Sequence, residues 1–422
     1  MRAGESVMSA WRASIAGLAL ACWPACALAQ DDLLGAEAFD VAVDLRASVV
    51  GGETGWLDGG FGKLRHGGDG GDTTARAEMA SADLAWKPQI GWNFSGLVSV
   101  TWQPEVSPEV GLSEAYLRYR SDPAPVRVGA RAGVFWPPIS LEHEGSTWQV
   151  TDTITPSAAN SWVAEEVKVL GLEGTVEAAL GAHELSFTGA AFLHDDMSGT
   201  LLSYRGWALH DVRVATNSDL PLPPLSPATA PYQAPLTSPF YEVDDRAGFY
   251  ARADWRPPFP VALNAFYYDN RGDRESTYEM QTSWRTRFWN IGALATLGDR
   301  TTARSQVMWG NTLVGPDTPW GIPVDVDFTA AYLLVSRQVG PGKLSLRGDW
   351  FETSDNSFVA SNNNNENGWS AALAYKAPLH EHADLLVELL HVSSERPGRL
   401  LYGGIAEDQD QTMLQTSLRL HL

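Results

Sequence analysis

The chain has 422 residues, with 51 acidic against 30 basic side chains and a formal net charge of −21. That surplus of negative charge argues against nucleic acid as a partner. The only two cysteines, Cys22 and Cys26, stand within the first 29 residues, so disulfide and metal–thiolate chemistry is excluded from the rest.

Those first residues carry Arg2 and Arg12, an apolar stretch at 15–21 and the small-x-small pattern Ala27-Leu28-Ala29. Together they read as an export signal over 1–29, cleaved to leave 30–422 as a single domain. The apolar stretch is too short for a permanent membrane helix. Without Arg2, Arg12 and Glu5, 28 basic and 50 acidic residues remain. Nothing after residue 30 approaches eighteen consecutive apolar residues. A chain of this kind enters a membrane only as a closed barrel, because lipid leaves every unpaired backbone group unsatisfied.

Alternating segments then follow one another. The first, at 39–50, puts Phe39, Val41, Val43, Leu45 and Val49 on one face and Asp40, Asp44 and Arg46 on the other. A period of two is the signature of a strand with unlike faces. The second lies at 73–86. The third, at 90–103, alternates Ile90, Trp92, Phe94, Val98, Val100 and Trp102 with small or polar residues. At about 3.3 Å per residue and a tilt near 40°, Trp92 and Trp102 would be roughly 25 Å apart along the membrane normal, the height of an apolar band with an indole at each interface. Further segments are expected at 111–120, 126–135, 166–178, 184–194, 247–256, 260–269, 281–297, 300–312, 324–337, 343–353, 367–377, 383–393 and 410–422. The fold class is therefore all-β, a transmembrane antiparallel barrel of about sixteen strands.

The links sort by parity. After even segments they are short and rich in Pro, Gly and Asp, as in Lys87-Pro88-Gln89 and Gly298-Asp299. After odd segments, 104–110 excepted, they are long: 51–72, 136–165, 195–246, 270–280, 313–323, 354–366 and 394–409. Short turns at one rim and long loops at the other characterise outer-membrane barrels. The link 136–165 is expected to fold inward as a constriction, setting Glu142, Glu144, Asp152, Glu165 and the adjoining Glu166 against the wall without any Lys or Arg of its own. The link 195–246 is proline-rich and is expected to lie outside, over the mouth or a neighbouring subunit.

If the apolar faces meet lipid, the alternate faces line a lumen. The expected pore-lining or solute-binding residues are Arg76, Arg118, Arg120, Arg127, Arg131, Arg252, Arg285, Arg287, Arg304 and Arg347, cations whose field would set solute preference. No nucleophile elbow, HExxH or phosphate-cradling glycine loop is present, so no catalytic residue, metal or cofactor is expected.

The stretches SEAYLRYR at 113–120 and RVGARAGVFWPPISLE at 127–142 resemble the phosphate-selective porin family of outer membranes. The resemblance implies a sixteen-stranded, usually trimeric channel in the outer membrane of a Gram-negative bacterium, in contact with membrane lipid and lipopolysaccharide. The lysine cluster that phosphate selectivity would need is missing from 270–280, where only Arg271 and Arg274 are basic. The expectation is a passive diffusion channel for small hydrophilic solutes or ions. A barrel with a plugged lumen and a barrel-embedded lipid hydrolase are the alternatives.

Overall fold

A computed structural model describes residues 33–69, 72–359 and 362–422; the export signal expected at 1–29 lies outside them. Sixteen strands form the barrel. They are β1 (Phe39–Val50), β2 (Thr74–Trp86), β3 (Phe94–Trp102), β4 (Val110–Arg120), β5 (Val126–Phe135), β6 (Val169–Leu180), β7 (His183–Leu193) and β8 (Gly248–Arg256). The second half comprises β9 (Val261–Asp269), β10 (Arg285–Thr296), β11 (Thr301–Val314), β12 (Val324–Val339), β13 (Gly342–Asp355), β14 (Glu366–His380), β15 (Ala383–Glu395) and β16 (Asp408–His421). Each pairs antiparallel with its neighbours, and β1 closes on β16 from Ala42 opposite His421 to Val50 opposite Met413. Two short helices, α1 (Ala158–Val163) and α2 (Thr200–Arg205), lie in the links.

The alternation read from the sequence becomes two surfaces. On β14, β15 and β16 the exposed Leu373, Leu389 and Leu414 stand opposite one another, while one residue away Ala374, Glu388 and Gln415 form a buried inward row. Toward the long-loop rim, Tyr267, Trp289 and Trp309 align across β9, β10 and β11, and Trp350 aligns with Trp369 across β13 and β14. Near the short-turn rim Trp92 is 99% exposed, Phe94 packs on Tyr119 at 5.1 Å, and Trp255 stacks on His183. Amphipathic rings at both ends of an apolar band suit the two water–lipid interfaces.

Two expectations are corrected here. Arg285 and Arg287 point outward with Trp289, because the inward positions of β10 are Thr286, Phe288 and Asn290. The strand starts only after Trp284, which is fully buried against Tyr204 in the links and does not set the strand's phase. Arg287 instead donates to Asn311 at 2.8 Å, and Arg285 meets Asp269 at 3.2 Å. The second correction concerns 195–246: its first half turns into the barrel. Trp207 packs on Phe328 and Phe351, which project inward from β12 and β13. The cause is an inner wall that is apolar toward the long-loop rim, where Tyr250, Phe266, Phe288, Phe328 and Phe351 are buried. Leu202, Trp207 and Leu209 of the link find a dry surface there, and Trp162 of α1 joins them at 5.6 Å from Phe288 and 4.9 Å from Phe328.

Leu389→Arg places a guanidinium among the outward leucines. We expect a loss of roughly 2–4 kcal/mol if the site lies at the bilayer midplane, measured by urea titration of folding into lipid vesicles. The same substitution in a soluble β-protein surface would cost almost nothing.

Candidate functional site

The interior is organised by the link that leaves β5. Arg127 and Arg131 alternate inward on this strand, and Gly133 adopts φ 137°, where a Cβ would come within 2.1 Å of the Ala115 carbonyl oxygen. Only glycine accommodates that bend. Pro137 and Pro138 then supply no backbone donor, so ladder pairing ends and the chain enters the lumen.

There the link crosses to the far wall. Gln306 of β11 brackets it, accepting from the Leu141 N–H at 3.0 Å and donating to the Ile139 carbonyl at 3.0 Å. Arg304 meets Glu144 at 2.6 Å and also binds Asp152, which Lys343 reaches at 2.7 Å. Inward carboxylates hold the backbone. Glu388 accepts from Ile154 N–H at 2.8 Å and from Thr155 N–H, and Asp349 accepts from Ala158 N–H at 3.2 Å. Arg419 donates to the Val150 carbonyl. The link therefore spans from β5 to β11, β13, β15 and β16, with polar side chains of the wall as its anchors.

The five expected constriction carboxylates divide. Glu144 and Asp152 face Arg304, the cross-lumen arrangement of acid against arginine. Glu142 is buried and ties the link to itself through Ser157 and Asn160, with Arg347 at 3.7 Å. Glu165 lies 2.7 Å from His143, and burial pushes the carboxyl up and drives the imidazole down to about 3. Both shifts run against the charged forms, because a dry site penalises an isolated carboxylate and an imidazolium alike. Glu166 joins links, binding Arg205 at 2.6 Å and His210 at 2.9 Å.

The arginines divide in the same way. Arg347 points inward but is sealed under the link, bound to Asp349 at 2.9 Å and to the Thr155 carbonyl, so it touches no solute. Arg131 is held by both oxygens of Glu173, at 2.7 and 3.0 Å. Arg76 stands near the long-loop rim, 3.4 Å from Asp58. Arg120, Arg127 and Arg252 line a cavity of about 600 Å³ inside β4 to β8, toward the short-turn rim and beneath Pro138. Arg118 lines an adjoining recess of about 240 Å³ with Arg131.

Arg256 and Glu184, also in the cavity wall, escaped the sequence reading, although each occupies the last inward position beside a short turn. Others had no local signal. Asp211 pairs with Arg46 at 2.6 Å and Arg65 at 2.9 Å, and Arg213 with Asp83 at 3.0 Å. Beside them, Trp148, Val150 and Arg419 border a gap of about 10 Å³, roughly the room of one water.

No protein-family model and no curated protein matches the chain. Among solved structures it resembles the outer membrane channel DcaP of Acinetobacter baumannii, with a TM-score of 0.53 and 12% identity over 91% of this chain and 97% of that one. The anion-selective porin from Comamonas acidovorans gives 0.51 and 10% over 91% and 98%. Salmonella typhi OmpF in complex with daunomycin gives 0.50 and 10% over 91% and 97%. The fold is porin-like. At these identities the likeness is one of architecture, so function has to be argued from this chain's own lumen.

Glu388→Ala removes the acceptor of two link amides, each charge-assisted bond being worth about 1.5–3 kcal/mol. We expect larger or noisier single-channel conductance in planar bilayers, with the barrel still resistant to unfolding in unheated detergent gels.

Proposed function

We propose that the protein is an outer-membrane porin through which small hydrophilic solutes diffuse passively, with a preference for anions. The carrying observation is the unbalanced charge of the lumenal cavity. Arg120 pairs with Glu177, Arg252 with Asp254 and Arg256 with Glu184. Among the described residues Arg118 and Arg127 have no carboxylate partner within salt-bridge distance. Two guanidinium charges are thus left facing water inside a low-dielectric wall, which concentrates anions and repels cations. The resemblance to the phosphate-selective porins agrees in sign, while the missing lysine cluster favours a broader anion preference.

The same reading places the chain, after export, in the outer membrane of a Gram-negative cell, where lipid and lipopolysaccharide cover its outward face. Association of copies into a homotrimer is supported by the one-sided aromatic band. The long-loop half of β1 and β2 presents Ala47, Ala75 and Ala77 outward, where β9 to β14 present Tyr267 and the four tryptophans. Small residues on one side suit contact between barrels rather than an interface with headgroups.

One observation favours a second reading. The apolar packing of Trp162, Trp207 and Leu209 fills the long-loop half of the lumen, as a plugged barrel requires. Conductance separates the two: a porin conducts in planar bilayers, and a plugged barrel is silent there and supports no liposome swelling. In a conducting channel under a salt gradient, we expect an anion-selective reversal potential that moves toward cation preference in Arg118→Ala/Arg127→Ala. An unmoved potential would remove the two arginines from the selectivity mechanism.

A further inference from the structure

A second chemical site lies near the other rim. His66, in the link after β1, is 2% exposed at its side chain; its Nε2 lies 2.8 Å from Glu78 Oε1 and 3.9 Å from Glu105 Oε1. Glu78 projects inward from β2, and Glu105 belongs to the short link between β3 and β4. One atom from each residue falls within a sphere where all mutual separations are below 4.8 Å. At 2.8 Å the two atoms are within ion-pair reach, yet both Nε2 and Oε1 are buried without an aligned hydrogen-bond partner. A buried imidazole nitrogen and carboxylate oxygen that converge with no aligned hydrogen bond between them form an arrangement that a bridging cation would satisfy.

We propose that His66, Glu78 and Glu105 form a binding site for a divalent transition-metal cation of zinc type. Two ligands about 2.1 Å from a tetrahedral metal are separated by roughly 3.4 Å, and the two nitrogen–oxygen separations straddle that value. One neutral imidazole and two carboxylates make a borderline donor set that suits zinc and its neighbours better than calcium, which takes oxygen alone. Arg65 grips Glu105 through two bonds, at 3.2 and 2.8 Å, and donates to the Ala80 carbonyl at 2.7 Å. It thereby orients the carboxylate as outer-shell partners of metal ligands do. Glu78 and Glu105 keep 23% and 14% side-chain exposure, so an ion can enter and a water can occupy the fourth position. Bound there, the cation would fasten three segments that the ladder leaves separate: the link after β1, the β2 wall and the β3–β4 link.

The test is a zinc titration of the full-length, untagged protein in detergent, in competition with a chromophoric chelator. His380→Ala/His382→Ala serves as background, because those imidazoles lie together with His421 at the opposite rim. We expect one zinc per chain, at least tenfold weaker in His66→Ala, and likewise in Glu105→Gln, which keeps shape if the histidine variant folds poorly. Cobalt should give a visible d–d band in the background protein that the His66→Ala variant lacks. Failure to retain zinc, or retention unaltered by both substitutions, would overturn the site and leave His66–Glu78 an ordinary contact. Neither outcome depends on whether the lumen conducts.

Discussion

Closure of the hydrogen-bond ladder between β1 and β16 is the constraint from which the other features follow. In hydrocarbon an unpaired amide has no water to turn to, so an open sheet edge cannot persist. Once the edge is abolished, each strand has one face toward lipid and one toward the lumen, and every second side chain is assigned its solvent. The leucine row of β14 to β16 and the buried Ala374, Glu388 and Gln415 beside it are that assignment at single-residue spacing.

What fills the lumen is decided by a second contrast, within the inner wall. Toward the short turns the wall is ionic and wet, with the arginine-lined cavity. Toward the long loops it is aromatic, and three links answer with Leu64, Trp162, Trp207 and Leu209. Apolar burial brings these links in, and the polar contacts fix their course. Glu388 and Asp349 receive backbone amides that would otherwise be stranded in a dry interior, while Arg347 and Arg419 answer carbonyls. Buried ion pairs contribute little net stability once desolvation is counted, so the apolar burial is the main attraction that draws the links in.

Charge is handled by pairing, and both proposals above rest on places where pairing fails. Most lumenal carboxylates and guanidinium groups pair with one another, within a strand, between strands or against an inward link. Arg127 in the cavity and Arg118 in the recess beside it are left over, and His66 and Glu78 meet without an aligned hydrogen bond near the opposite rim. The negative total charge of the chain is therefore no guide to the charge that the cavity presents, because most of its acidic groups lie elsewhere in the chain.

The strands were legible in the residues: all sixteen ranges read from alternation agree with the structure to within four residues at either end, since a strand's period is a local property of the chain. The inward course of the link after β5 was legible too, from its length and one-sided charge. The phase of β10 was not, because Trp284 imitates a lipid-facing ring while the strand begins one residue later. Nor could local pattern tell that Arg347 would be covered, that the link after β7 would descend into the barrel, or that Asp211 would reach Arg46 across 165 positions. Alternation settles which way a side chain faces. What it meets there depends on chain segments far away in sequence, and those are brought together only when the ladder closes and the aromatic half of the lumen needs to be kept dry.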